Sequence, residues 1–132
     1  MIAGMAQRVG IDLTSVGTVR AAVSAHGERY LTRIYTPAEL AECAGDPARL
    51  AGRFAAKEAA IKVLRPGSSE ALPWSDIEVV RDPGGHVELR LAGRAAAHAA
   101  RQGLDGFAVS LTHEGDAACA VVIAQSSAEG VR

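Results

Sequence analysis

Asp12, Glu58 and Lys62 are the residues of this chain whose types and spacing could do chemistry. Glu58 and Lys62 lie in RFAAKEAAIKV, residues 53 to 63, which reads as continuous helix. They stand one turn apart at the edge of a stripe formed by Leu50, Phe54 and Ile61. Taken alone they are an ordinary i,i+4 pair worth a few tenths of a kcal/mol. Asp12 stands near the end of the strand-like QRVGIDL. Two carboxylates, one from a strand end and one from a helix, can hold a hard cation such as Mg²⁺ through oxygen and leave positions for phosphate oxygens and water. A lysine one turn from such a carboxylate is a point charge suited to phosphate. The combination reads as a polyphosphate site.

The elements that must position these residues follow from local signals. QRVGIDL alternates as a short strand ending near Asp12. Thr14 or Ser15 caps a helix running to about His26, where Gly27 stops it. TPAEL, with Thr36 as N-cap, Pro37 at the first helical position and Glu39 three residues after the cap, opens a short helix ending near Gly45. Asp46 and Pro47 open the long helix that carries Glu58 and Lys62 to about Leu64, where Pro66 and Gly67 end it. SDIEVVRD and HVELRLA alternate about a DPGG turn as a hairpin. GRAAAHAARQG is helical by propensity. GFAVSLTHEG and DAACAVVIAQ form a last hairpin turning near Glu114 to Asp116, and the tail SSAEGVR is expected to fray. The fold class is α+β: a single compact domain with a long central helix packed on an antiparallel sheet.

At 132 residues, 48% hydrophobic and 22% charged, the chain has the size and make-up of one folded domain, expected over 1–132 with its core at about 9–124. No segment is apolar for long enough to span a bilayer. Arg8 and Asp12 stand where a signal peptide needs an apolar run, so a cytoplasmic protein is expected. Cys43 and Cys119 are far apart and in no metal-ligand spacing, as reduced thiols would be. A net charge of −1 speaks against general nucleic-acid affinity. The basic excess is local: Arg53, Lys57, Lys62 and Arg65 against Glu58 alone give +3 over residues 53 to 65, whereas five arginines against nine acids give −4 over residues 66 to 132.

GIDLTS, GRFAAKEAAIKVL, WSDIEV and VSLTHEGDAACAVV together resemble the holo-acyl-carrier-protein synthase class of 4′-phosphopantetheinyl transferases, from about Val9 to Ala124. The resemblance implies that family's fold and an enzyme that moves 4′-phosphopantetheine from coenzyme A to a serine of an apo acyl carrier protein, releasing adenosine 3′,5′-bisphosphate. It implies Mg²⁺ on Asp12 and Glu58, and coenzyme A phosphates on Lys62 and His113. Arg53 is implied at the 3′-phosphate, and Lys57 of the same block is counted with the cofactor-binding cations. Asp12, Glu58 and Lys62 form the catalytic set, and Glu58 could also accept the serine proton, directly or through a metal-held water. The family forms homotrimers with sites between subunits and serves carriers of fatty-acid or polyketide synthesis.

Two other classes compete with this reading. A non-catalytic coenzyme A-binding module would share the phosphate contacts but lack a metal carboxylate, which the pair Asp12 and Glu58 disfavours. A structural subunit of a larger synthase assembly is disfavoured by the lack of linker composition at either end. The chain departs from the family pattern at Thr18, where an arginine on the carrier-binding helix is usual, and Gly17 weakens that helix. Arg20, Arg29 and Arg33 could supply the basic patch for an acidic carrier helix instead.

Overall fold

The structure, a computed structural model, describes residues 6 to 127. The leading MIAGM and the end of the tail expected to fray, residues 128 to 132, lie outside the described residues. The elements in chain order are β1 (Ala6–Ser15), α1 (Val16–His26), α2 (Glu28–Ile34), α3 (Pro37–Cys43), α4 (Pro47–Leu64), a 3₁₀ turn (Trp74–Asp76), β2 (Ile77–Arg81), β3 (Val87–Leu91), α5 (Gly93–Arg101), β4 (Gly106–Glu114) and β5 (Ala117–Ser126). β1, β5 and β4 form a three-stranded antiparallel sheet in that order, and β2 pairs with β3 in a second, two-stranded sheet. The fold is α+β, as expected, with two sheets in place of one.

Helix α4 organises both. Asp46 accepts a hydrogen bond from the Ala48 amide at its start, Pro47 occupies the first turn, and the helix ends at Leu64. The expected core stripe of Leu50, Phe54 and Ile61 is only partly correct. Leu50 is buried, but Phe54 and Ile61 are half-buried, and the fully enclosed apolar positions are Ala51, Ala55, Ala56, Ala59, Ala60, Val63 and Leu64. The reason is that α4 has neighbours nearly all round, so short side chains must let them approach. Gly10 of β1 shows how closely: a Cβ there would lie 2.2 Å from the Ala59 carbonyl oxygen.

Register decides what faces the helix. Gly10, Asp12 and Thr14 of β1 share the inner face with Ala118, Ala120 and Val122 of β5. Val9, Ile11 and Leu13 point the other way and are 69%, 60% and 69% exposed. β1 continues through Ser15, so Asp12 lies inside the strand and not at its end. That extension is held by β5, which pairs as far as Ser15 with Ala117.

Gly27 stops α1 as expected, with φ of 53°, but a second short helix, α2, follows at once and had no sequence signal beyond Glu28 in its first turn. Gly17 has a structural use. Its amide donates to Asp116 Oδ1 at 2.7 Å, Ser15 Oγ meets Asp116 Oδ2 at 2.7 Å, and a Cβ at residue 17 would sit 3.1 Å from the same carboxylate. The β4–β5 turn therefore caps α1, and the helix tolerates its glycine because the carboxylate needs the room.

Candidate active site

On one side of α4, the structure brings three of the expected residues together. Lys62 Nζ lies 3.1 Å from Asp12 Oδ1 and 2.7 Å from the Ile11 carbonyl, which ties the last turn of the helix to the edge strand. Glu58, one turn earlier, is half-buried, and its carboxylate has no hydrogen-bond or ion-pair partner among the described residues. Burial first, and then the charge of Asp12, push the Glu58 carboxyl above its ordinary value, while Lys62 offsets part of that rise. Two carboxylates that repel one another at a solvent-open edge, with one lysine between them, form an acidic seat for a cation. An adjoining groove of ≈ 480 Å³ is lined by Ile11, Asp12, Leu13, Lys62 and Cys119.

The donor set fits Mg²⁺ in kind. Both groups are hard oxygen anions, and Glu58 has all its lone pairs free of protein donors. Among the described residues no group of three or more His, Cys, Asp or Glu could hold a metal ion. A cation held by these two carboxylates would need further oxygens from outside the chain, which a polyphosphate has to offer.

Lys57 is a correction. Expected among the cofactor-binding cations, it has no exposed surface, because its position on α4 points into the space between α3 and β2. Its three donors are used: Glu39 Oε1 at 2.8 Å, the Trp74 carbonyl at 3.1 Å and the Ile77 carbonyl at 2.5 Å. Burial draws the ammonium down from its ordinary value, and Glu39 opposes that. No face of Lys57 is left for a phosphate. Glu39, read from sequence as a capping-box residue, does cap Thr36, and it also accepts from the Val79 amide at 2.8 Å.

Arg53 and His113 are not at this site within one chain. Arg53 is buried on the opposite side of α4, where its guanidinium meets Glu42 at 2.9 Å and its Nε has no partner. His113 is exposed on β4, on the same sheet face as Asp12 but with β5 between and two residues further along. Strand spacing and rise put the two backbones about 12 Å apart.

A second groove, of ≈ 390 Å³, lies among α1, α2 and the 3₁₀ turn, lined by His26, Arg29, Tyr30, Arg33, Ile34, Phe54 and Trp74. It gathers Arg29 and Arg33 of the expected basic patch beside the Phe54–Trp74 ring pair, whose centroids are 5.1 Å apart. Arg20 lies instead near Asp116, whose carboxyl it helps to lower after the Ser15 and Gly17 hydrogen bonds. Sequence reasoning found the arginines but not their aromatic floor, because Trp74 reaches it only through the fold.

Comparison with known proteins shows the family of the chain. The family described as the 4′-phosphopantetheinyl transferase superfamily matches residues 8 to 122. The chain belongs to that superfamily. A holo-[acyl-carrier-protein] synthase of Desulforudis audaxviator is 44% identical over 127 residues, covering 94% of this chain and 96% of the relative. Among solved structures, a Chronobacterium ammoniagenes synthase in complex with coenzyme A is 31% identical with a TM-score of 0.82, covering 92% of this chain and 98% of that one. The Helicobacter pylori holo-[acyl-carrier-protein] synthase in complex with coenzyme A is 26% identical with a TM-score of 0.80, covering 89% and 99%. This transferase superfamily thus spans nearly the whole of the fold described above. No described helix is long and apolar enough to cross a membrane.

Proposed function

We infer that this transferase moves 4′-phosphopantetheine from coenzyme A to a serine of an apo acyl carrier protein, giving the holo carrier and adenosine 3′,5′-bisphosphate. The observation that carries this reading is the meeting of Asp12, Glu58 and Lys62 at the edge of β1 in a chain 44% identical to a holo-acyl-carrier-protein synthase. A plain coenzyme A-binding module would gain nothing from a second carboxylate, Glu58, held above its ordinary value by burial and then by Asp12.

Asp12 and Glu58 would hold Mg²⁺, which when bound supplies positive charge to the pyrophosphate. Lys62 holds the pyrophosphate oxygens with its ammonium, so that binding and catalysis draw on the same contact. The serine Oγ attacks the phosphorus that bears pantetheine, and the bond from that phosphorus to the bridging oxygen breaks. Glu58, which no described protein group hydrogen-bonds, would take the serine proton. Arg29 and Arg33 beside Phe54 and Trp74 offer a basic, apolar-floored groove for an acidic carrier helix.

A homotrimer with sites between subunits would let the exposed His113 serve the site of a neighbouring chain. Val9, Ile11, Leu13 and Ile123 form an exposed apolar face on one side of the sheet, of the kind that marks an interface. Arg53 lies on the opposite side of α4 from Lys62 with its guanidinium buried against Glu42, so it is left out of the shared site. The test is direct: incubate the protein with coenzyme A, Mg²⁺ and a panel of apo carriers, and follow carrier mass, with light scattering of the enzyme in parallel. A gain of one phosphopantetheine by a carrier is expected. No gain by any carrier overturns the function, and a monomer at assay concentration overturns the shared site.

A further inference from the structure

Arg65 follows Lys62 by three residues and takes the position just past the end of α4, where glycine is the usual choice because φ is positive. Here φ is 50° and ψ is 59°. Among the described residues only Ala44 and Arg65 are non-glycines with positive φ. A Cβ in this region meets its own backbone, so an arginine here costs stability that a glycine would not.

The surroundings hold the strain in place. The Arg65 amide donates to the Ile61 carbonyl at 3.0 Å. Pro66 follows, which stops the helix and has no N–H to return to the last turn. Side chains from other elements fill that gap: Arg8 of β1 donates to the Val63 carbonyl at 2.9 Å, and His98 of α5 lies with Nε2 2.6 Å from the Leu64 carbonyl. Arg8 also bonds Gln102. The end of the helix that carries Lys62 is therefore fixed from both sides.

None of this uses the Arg65 side chain. It is exposed and makes no hydrogen bond or ion pair among the described residues. Its nearest consequence is unfavourable: the Arg8 guanidinium is lowered from its ordinary value by burial first and by the charge of Arg65 second. Glu70, the acid of the following loop, is already taken by Arg101 at 2.7 Å and His98 at 3.3 Å. The last turn of α4 and its cap thus carry Lys62, met by Asp12, and Arg65, met by no acid among the described residues, with Arg8 on the Val63 carbonyl. Attraction to the helix dipole favours a cation there, but Lys62, in helical conformation in the last turn, already serves that purpose without strain.

We propose that Arg65 is a phosphate-binding residue for coenzyme A, kept in a left-handed conformation just past the helix end that carries Lys62. The proposal rests on the transfer reading above. A forked guanidinium and a point-charge ammonium suit two neighbouring phosphate oxygens. The pyrophosphate and the 3′-phosphate are both phosphate sources within one ligand, and the test separates them.

Arg65→Gly and Arg65→Lys make opposite changes. Glycine relieves the backbone and removes the cation, whereas lysine keeps the cation and the strain. Expected for Arg65→Gly is a thermal midpoint at or above that of the parent, with a KM for coenzyme A raised about fivefold or more and a weaker salt dependence of KM. Arg65→Lys should fall between parent and glycine variant in KM. With dephospho-coenzyme A, an undiminished effect of Arg65→Gly assigns the guanidinium to the pyrophosphate, and a vanished effect assigns it to the 3′-phosphate. A KM for Arg65→Gly within twofold of the parent for both ligands would overturn the proposal. So would a lowered midpoint accompanying the KM change, since that is the mark of a structural role. Turnover by the parent in the same assay checks the transfer reading separately.

Discussion

Lys57 and Lys62 stand five residues apart on α4, yet the first has no exposed surface and the second has a side chain 54% exposed. Each is paired with a carboxylate at about the same distance, 2.8 Å for Glu39 and 3.1 Å for Asp12. The surroundings separate them. The Lys57 pair is enclosed by α3, β2 and the 3₁₀ turn, and every donor and acceptor has a protein partner. The Lys62 pair lies against the edge strand, beside a groove, with the Glu58 carboxylate left unmatched. A satisfied charge inside a fold holds elements together, and an unsatisfied one at an edge is available to a ligand.

The strongest way to break that contrast is to remove one member of the enclosed pair. Lys57→Met leaves the Glu39 charge buried without a counter-ion, and a loss of about 3–5 kcal/mol in unfolding free energy is expected by denaturant titration. Adding Glu39→Gln should recover part of it, because a neutral amide still accepts one backbone bond. Turnover per folded molecule should stay near that of the parent. A raised KM for coenzyme A with unchanged stability would return Lys57 to the site.

The reverse pattern is expected on the open side. Asp12→Ala and Glu58→Ala should each lower transfer at least about a hundredfold, equivalent to about 2.7 kcal/mol of barrier, with unfolding midpoints nearly unchanged. Near-normal turnover at limiting Mg²⁺ would remove that residue from the site. Lys62→Ala should have a smaller effect, raising KM for coenzyme A and lowering kcat about tenfold each, since its contact serves both ground and transition states.

The smallest effect sharpens the comparison through pH. Because burial and Asp12 hold the Glu58 carboxyl above its ordinary value, the folded chain binds that proton more tightly than the unfolded chain. Above the raised range the ionised carboxylate lowers stability, and acidification through that range removes the penalty. Glu58→Gln should therefore stabilise the metal-free protein at neutral pH by at most about 0.5 kcal/mol, and the gain should shrink in the mildly acid range. Thermal melts at the two pH values, without Mg²⁺, read this. A gain that grows on acidification contradicts the assignment.

Much of this could be read before the fold was known. The helix caps at Thr36 and Asp46, the stop after Leu64 and both hairpins depend on residues within a few positions of one another. The trio of Asp12, Glu58 and Lys62 was legible because residue type and the helical period suffice to propose it. Less legible were α2, which lacks a strong cap, and the extension of β1 past Asp12, which depends on β5 more than a hundred residues later in the chain.

By itself, the sequence determined the long helix, its one-turn spacing of Glu58 and Lys62, the α+β class and the membership of a transferase superfamily, since all of these rest on local order or on the pattern of residue types. Tertiary structure alone decided which charges face inward. Arg53, Lys57, Glu58 and Lys62 look alike along the chain, and only the packing of α3 and β2 on one side and of β1 on the other buries two of them against a carboxylate. The physical reason is that the fate of a charge depends on the dielectric and the counter-charges around it, and these are supplied by residues distant in sequence.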